Sequence, residues 1–269
     1  MPELAEVEYY KRRWEADLGS IIGEIRISHD HRVFRGSDTR KIQRELQGRH
    51  FRAAHARGKQ MLFRFDCDGW LGVHLGMAGK LLRQTIADYA PHKHDPLVLL
   101  TRGHALVFRD TRTFGRIRWE ISPEAPGWWK SMGPDLLSPR YRRSDLVEVL
   151  SRHSATPLKS LLLDQRYFPG IGNWMADEIL WRAALHPESR GKDLTEDQIK
   201  ALYRRLREVC RSALRVIAPD WSPPPKSWLF PHRWKDGGTC PKTRKPLERI
   251  QVGGRTTCYS PKRQPKPRS

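Results

Sequence analysis

The sequence predicts an α+β protein: a β-rich first half led by a short helix, then a helical second half closing in a β-hairpin. Three observations carry that expectation. Strand-like runs pair around turn signals before residue 122, helix starts and a three–four apolar stripe follow Gly127, and a basic tail bends at Gly253-Gly254.

In the first half, Leu4, Val7, Tyr10, Trp14 and Leu18 step by three or four up to Gly19, and Pro2 suits a first helical turn. Residues 60–65 and 70–75 flank Asp66-Cys67-Asp68-Gly69, and 97–100 and 105–109 flank Arg102-Gly103-His104, so each pair reads as a hairpin. Residues 117–121 add a strand before Pro123 and Pro126. In the second half, Ser144 caps a helix to about Arg152, and Thr156-Pro157 starts one ending near Gln165. After the turn Pro169-Gly170-Ile171-Gly172, residues 173–184 form the next helix. Thr195 and Gln198 make a capping box ahead of the stripe Ile199, Leu202, Leu206, Val209, Ala213 and Val216, which the prolines of 219–225 terminate. The expected organisation is 1–121, a linker 122–140, a helical domain 141–226, a hairpin 227–264 and a basic tail 265–269.

The 269 residues are 38% hydrophobic, enough for cores, but no apolar run reaches the 18 residues that a membrane helix needs. The start Met1-Pro2-Glu3-Leu4-Ala5-Glu6 is acidic and has no apolar run, unlike a secretory signal. Fifty Lys and Arg against thirty Asp and Glu leave a net charge of +20. Such an excess attracts polyanions, nucleic acid foremost, with an anionic membrane or polyanionic sugar still open. From Lys226 onward there are twelve Lys/Arg and two acids. Four scattered cysteines without a disulfide framework point to a reducing, cytoplasmic setting.

Several residues have the chemistry of a nucleic-acid enzyme, each with a plainer reading beside it. Trimming of Met1 would leave Pro2 with a secondary amine, partly unprotonated near neutral pH and able to attack a sugar C1′, with Glu3 beside it to move protons. A simple Pro-Glu helix start looks the same. Lys59, in Arg57-Gly58-Lys59, offers a phosphate contact or is an ordinary loop lysine. Met77, after His74-Leu75-Gly76, is an exposed wedge or a core methionine. Arg112 and Phe114, in Asp110-Thr111-Arg112-Thr113-Phe114-Gly115, suit pairing with an orphaned base and stacking into a base step, or simply form a turn. Asn173 opens a helix after a glycine turn, a place where backbone N–H groups bind phosphate and Lys159 on the preceding helix could touch the same strand, or the segment is simply a packing turn between helices.

The motifs Pro2-Glu3-Leu4-Ala5-Glu6-Val7-Glu8, Lys59, His74–Met77, Asp110–Gly115, Asp164-Gln165, Gly170–Asn173 and Ala176-Asp177-Glu178-Ile179-Leu180 run in one order. Together they resemble the formamidopyrimidine-DNA glycosylase/endonuclease VIII family, nearer its formamidopyrimidine branch. The resemblance implies a β-sandwich joined to a helix–two-turn–helix domain, and a base-excision-repair glycosylase with AP lyase activity. It implies Pro2 as nucleophile, Glu3 as its acid/base partner, Lys59 as catalytic support, and Arg255 at the phosphates beside the lesion, assisting the last elimination. Met77, Arg112 and Phe114 would fill the gap left by the flipped nucleotide, and His94, Lys159 and Asn173 would hold phosphates. The implied partner is damaged double-stranded DNA, bound by a monomer with no membrane association, in the cytoplasm and at the nucleoid.

Two departures alter the expectation. The family's zinc-finger frame, Cys-x2-Cys-x16-Cys-x2-Cys, falls here on Cys240, Thr243, Ser260 and Arg263, with Cys258 off the frame. Zinc needs four soft or imidazole ligands, so the sequence predicts a zincless finger and no cofactor. Its hairpin would be held by turn geometry and by Leu247, Ile250 and Tyr259 against Trp228, Phe230 or Trp234. The stretch 218–226, with four prolines, is short and stiff where the 8-oxoguanine-recognising branch has a flexible loop, which argues against 8-oxoguanine as the best substrate and leaves ring-opened purines open among the oxidised or ring-opened bases that the resemblance implies. The rival readings are a non-catalytic binder of abasic or kinked DNA and a basic RNA-associated protein.

Overall fold

The computed structural model describes residues 1–266 and divides into two compact units, Met1–Met132 and Gly133 onward. The last three residues of the expected basic tail 265–269 lie outside the described residues.

The first unit comprises α1 (Leu4–Glu15), β1 (Glu24–Ile27), α2 (Thr39–Leu46), β2 (Phe51–Arg57), β3 (Gln60–Phe65), β4 (Gly69–His74), β5 (Lys80–Thr85), β6 (Leu97–Leu100), β7 (His104–Arg109), β8 (Arg116–Ile121) and α3 (Gly127–Lys130). Its strands form two four-stranded sheets, ordered β1-β6-β7-β5 and β2-β3-β4-β8, with every pair antiparallel. Both sheets feed one core: Phe51, Phe63, Leu71 and Ile117 from one, Ile25, Leu81, Leu99 and Phe108 from the other. The unit is thus the sandwich that the resemblance implied. Both expected hairpins form, as β3–β4 and β6–β7.

Three strands went unread in the sequence. β1 and β5 each bury only one residue, and β2 opens with a register shift between Phe51 and Ala53, so no clean alternation marks them. Helix α1 starts at Leu4, two residues after Pro2, and ends at Glu15. Beyond its end, buried Asp17 takes hydrogen bonds from Arg83 and His104, while Trp14 Nε1 donates to the Leu82 carbonyl, 3.0 Å. These contacts lock the first helix to β5.

The second unit comprises α4 (Arg143–Arg152), α5 (Leu158–Leu162), α6 (Asn173–Ala183), α7 (Glu196–Val216), β9 (Glu248–Val252) and β10 (Arg255–Tyr259). The capping box of α7 forms, Gln198 N donating to Thr195 Oγ1 and Thr195 N to Gln198 Oε1. Leu202, Leu206, Val209 and Ala213 are buried as the stripe required, whereas its ends, Ile199 and Val216, are half-buried. α4 begins at Arg143 rather than behind Ser144, and α5 stops at Leu162, short of Gln165.

The expected linker 122–140 is no linker but belongs to both units. Ser122 accepts from Trp70 Nε1, α3 is capped by Arg57 donating to the Met132 carbonyl, and Trp128 occupies the space that a side chain on Gly72 would fill. From Leu136, buried, the chain is held by Arg207, whose guanidinium donates to the carbonyls of Leu136, Leu137 and Ser138. Nor is 227–264 separate from 141–226: β10 packs on α6 within one unit. No helix is long and apolar enough to cross a membrane among the described residues.

Candidate active site and DNA-contact residues

In the first unit, Glu3 is the N-cap of α1, directly after Pro2. Its backbone N–H donates to Glu6 Oε2, 3.1 Å, and the reciprocal half of the capping box is also made. Buried Glu3 thus sits at the positive end of the helix dipole, which favours a carboxylate. Lys59 lies in the two-residue turn Gly58-Lys59 that joins β2 to β3, and Gly58 takes the positive φ (59°) that such a turn needs.

His74 ends β4 and its Nδ1 accepts from Gly76 N, 3.2 Å, which leaves the proton on Nε2. Burial, and then the charges of Lys59, Arg118 and Arg35, push its pKa down to about 4. The imidazole is therefore neutral near pH 7 and presents a hydrogen-bond donor rather than a charge.

The next glycine fixes the residues expected to fill the gap of a flipped nucleotide. Gly76 has φ +61°, and a Cβ there would lie 2.4 Å from the Phe114 carbonyl carbon. The segment bearing Met77 and the segment bearing Arg112 and Phe114 therefore touch backbone to backbone. Met77 is 41% and Phe114 44% exposed, unusual for large apolar side chains, and the Arg112 guanidinium lies 5.3 Å over the Phe114 ring. Sequence reasoning missed the brace under them. Fully buried Asp110 accepts from Arg112 N (3.1 Å) and Gly115 N (2.6 Å), closing the loop around Thr113, which itself has φ +57°. An aspartate heading a Gly-ended loop was the available signal. His94 is tied to the same brace, its carbonyl accepting from Asp110 N, 2.9 Å.

In the second unit, the turn before α6 is braced by Gln165, which donates to the carbonyls of Leu163 and Ile171 and accepts from Gly170 N. Asn173 Nδ2 donates to the Thr256 carbonyl, 2.9 Å, next to Arg255. Gly253 and Gly254 both take positive φ at the hairpin bend, and a Cβ on Gly253 would lie 2.3 Å from Ser160 Oγ. The bend thus docks on α5, and exposed Arg255 and the N-terminus of α6 form one surface.

Lys159 is a correction. Instead of facing a phosphate it is fully buried, donating to Asp177 Oδ1 (2.5 Å) and to the Asn173 carbonyl (2.7 Å). The second Asp177 oxygen takes Arg233 Nη2 (2.5 Å) and the Cys258 backbone N–H (3.1 Å). Next to it, buried Glu178 takes the N–H groups of Leu229 and Phe230. Helix α6 therefore carries the hairpin on buried ionic and backbone hydrogen bonds that the sequence left unassigned.

The finger positions do come together. Trp181 Nε1 donates to Cys240 Sγ, 3.4 Å. Burial raises the Cys240 thiol, but the hydroxyl dipoles of Thr243 and Ser260 and the Trp181 N–H bring it to about 7. Arg263 donates to the carbonyls of Trp181 (2.7 Å) and Arg182 (3.0 Å), closing the C-terminus of α6. One thiol, two hydroxyls and a committed guanidinium are not a zinc donor set. Apolar support comes from Trp181, Leu229, Cys240, Leu247 and Cys258; Phe230 and Trp228 pack on Trp174, and Tyr259 edges His186, so Leu247 packs in a cluster with Trp181 and Leu229 rather than with the expected Trp228, Phe230 or Trp234.

Residues 1–117 match the formamidopyrimidine-DNA glycosylase N-terminal domain, and residues 132–220 match the H2TH domain of that glycosylase. A formamidopyrimidine-DNA glycosylase of Arabidopsis thaliana is 34% identical, over 98% of this chain and 71% of its own. One of Thermus thermophilus is also 34% identical, over 97% of each chain. The Lactococcus lactis Fpg in complex with abasic-site DNA superposes with a TM-score of 0.88, at 27% identity, over 98% of this chain and 100% of that one.

Proposed function

The chain belongs to the formamidopyrimidine-DNA glycosylase family, the bifunctional DNA glycosylases and AP lyases of base-excision repair, and we propose that it works through Pro2 on damaged duplex DNA as a monomer. The observation that carries the reading is the pairing of a buried, capping Glu3 directly after Pro2 with an exposed, braced Met77–Arg112–Phe114 wedge in one unit.

The steps follow from these residues. The wedge offsets part of the few kcal/mol that flipping a nucleotide costs. With Met1 removed, the Pro2 nitrogen bonds to C1′ as the bond to the base breaks, and Glu3 passes the proton that the departing base needs. Opening of the sugar gives an iminium, which makes the C2′ proton acidic. Its loss expels the 3′ phosphate, and a second elimination expels the 5′ phosphate. Neutral His74 and Lys59 hold backbone oxygens on the first unit; Asn173, the α6 N-terminus and Arg255 do so on the second. Stiff, proline-rich 218–226 favours ring-opened purines over 8-oxoguanine, and the setting proposed is the cytoplasm and nucleoid.

Borohydride added to wild-type protein on an abasic-site duplex should trap a covalent adduct, and Pro2→Gly should abolish it. Tight binding without any wild-type adduct would establish the non-catalytic binder instead.

The finger, we propose, folds without zinc, as its donor chemistry requires. Purified protein should then carry far less than one equivalent of zinc by elemental analysis, and a chelator should leave its melting temperature unchanged. One equivalent of retained metal would overturn this.

A further inference from the structure

Strand β8 follows the wedge loop directly. Arg116 and Arg118 alternate with buried Ile117 and so share the outer face of the sheet. Across the β4–β8 ladder Arg116 stands opposite His74, and Arg118 opposite Gly72. The missing side chain at Gly72 lets Trp128 lie on this face, and the Arg118 guanidinium stacks on it at 4.6 Å. Arg35 reaches the same end: its Nη1 donates to the Gly115 carbonyl, 2.7 Å, and the Cβ position of neighbouring Gly36 is 3.8 Å from Arg116 Nη2.

Some arginines of the unit are neutralised, Arg64 by Asp68 at 3.2 Å and Arg109 by Asp95 at 2.6 Å. Among the described residues, Arg35, Arg116 and Arg118 form no ion pair. Burial, and then the charges of Arg116 and Arg35, hold Arg118 below the usual guanidinium value. Three like charges are thus held together by backbone, register and stacking with no protein anion to offset their repulsion.

We infer that Arg35, Arg116 and Arg118 form a phosphate-binding strip, continuous with His74 and the wedge loop, that grips the DNA backbone beside the lesion. The inference rests on the repair-enzyme reading. It adds a contact surface that the motif residues do not supply, because Arg116 and Arg118 lie outside every motif that carried the resemblance.

The test is the salt dependence of binding to a duplex bearing a tetrahydrofuran abasic analogue, for wild type, Arg116→Gln/Arg118→Gln and Arg116→Lys/Arg118→Lys. Each phosphate contact contributes about 0.9 to the slope of log affinity against log salt, so the glutamine pair should lower the slope by roughly 2 and weaken binding ~30-fold at 0.15 M salt. The lysine pair keeps the charges and should restore most of both. An unchanged slope in the glutamine pair overturns the strip. So does a loss that lysine fails to restore, since that would mark the stacking on Trp128 as purely structural. Thermal melting of both pairs shows that the fold is retained. Borohydride trapping by the wild type, run in parallel, reports on the catalytic reading alone, so failure of one idea is separable from failure of the other.

Discussion

Asp177→Ala should cost about 3–5 kcal/mol of stability, because removing one partner of a buried ionic cluster leaves uncompensated charge behind. Lys159 is fully buried and Arg233 nearly so, and Asp177 is the carboxylate that both contact. For a unit of this size the loss corresponds to a fall in melting temperature on the order of 6–20 °C. Calorimetry of the full chain measures it. The triple change Lys159→Met/Asp177→Leu/Arg233→Met, which removes all three charges, should recover much of the loss. Lys159→Met alone should lower the melting temperature while leaving the salt slope of DNA binding in place, because its ammonium faces Asp177 and the Asn173 carbonyl. A slope reduced by about 0.9 would return Lys159 to the phosphate role that the resemblance implied.

Gly76→Ala should separate the two activities. The new Cβ would meet the Phe114 carbonyl carbon at 2.4 Å and Gly115 N at 2.6 Å, and it would sit on a backbone at φ +61°. Neither obstacle is the end of a flexible side chain, so the Met77 and Phe114 segments must part. The wedge would lose its geometry, and a few kcal/mol of flipping cost would go unmet, roughly a 100-fold loss in base excision from paired DNA. Strand cleavage at a preformed abasic site has no base left to expel and should fall far less. Single-turnover rates on the two substrates decide it, and equal losses on both would show that the wedge does not act in flipping.

Both predictions rest on features with different legibility. The wedge residues, the glycine turn before α6 and the α7 stripe could be read in order because each is a local pattern: a loop signature, a dihedral requirement, a helical period. Asp110 was within the quoted motif, yet its role as the loop's brace emerged only from its two backbone hydrogen bonds. Three edge strands, β1, β2 and β5, were missed for a physical reason. Strand β6, Leu-Val-Leu-Leu, is buried on both faces and stands out as an apolar run, whereas β1 and β5 each bury one residue and look like loop.

By itself, then, the sequence determined the two-part α+β architecture and the order of the motif residues that mark the family. Side-chain identity and short-range geometry suffice for those. Tertiary structure alone decided what surrounds each charge: Lys159 fully buried against Asp177, Arg263 on the end of α6, and Arg116 and Arg118 half-buried and, among the described residues, without an ion pair. A lysine or arginine reads the same in a sequence whether water or a buried carboxylate surrounds it. That difference in surroundings, set by chain segments distant in sequence, determines whether the charge holds the fold or meets DNA.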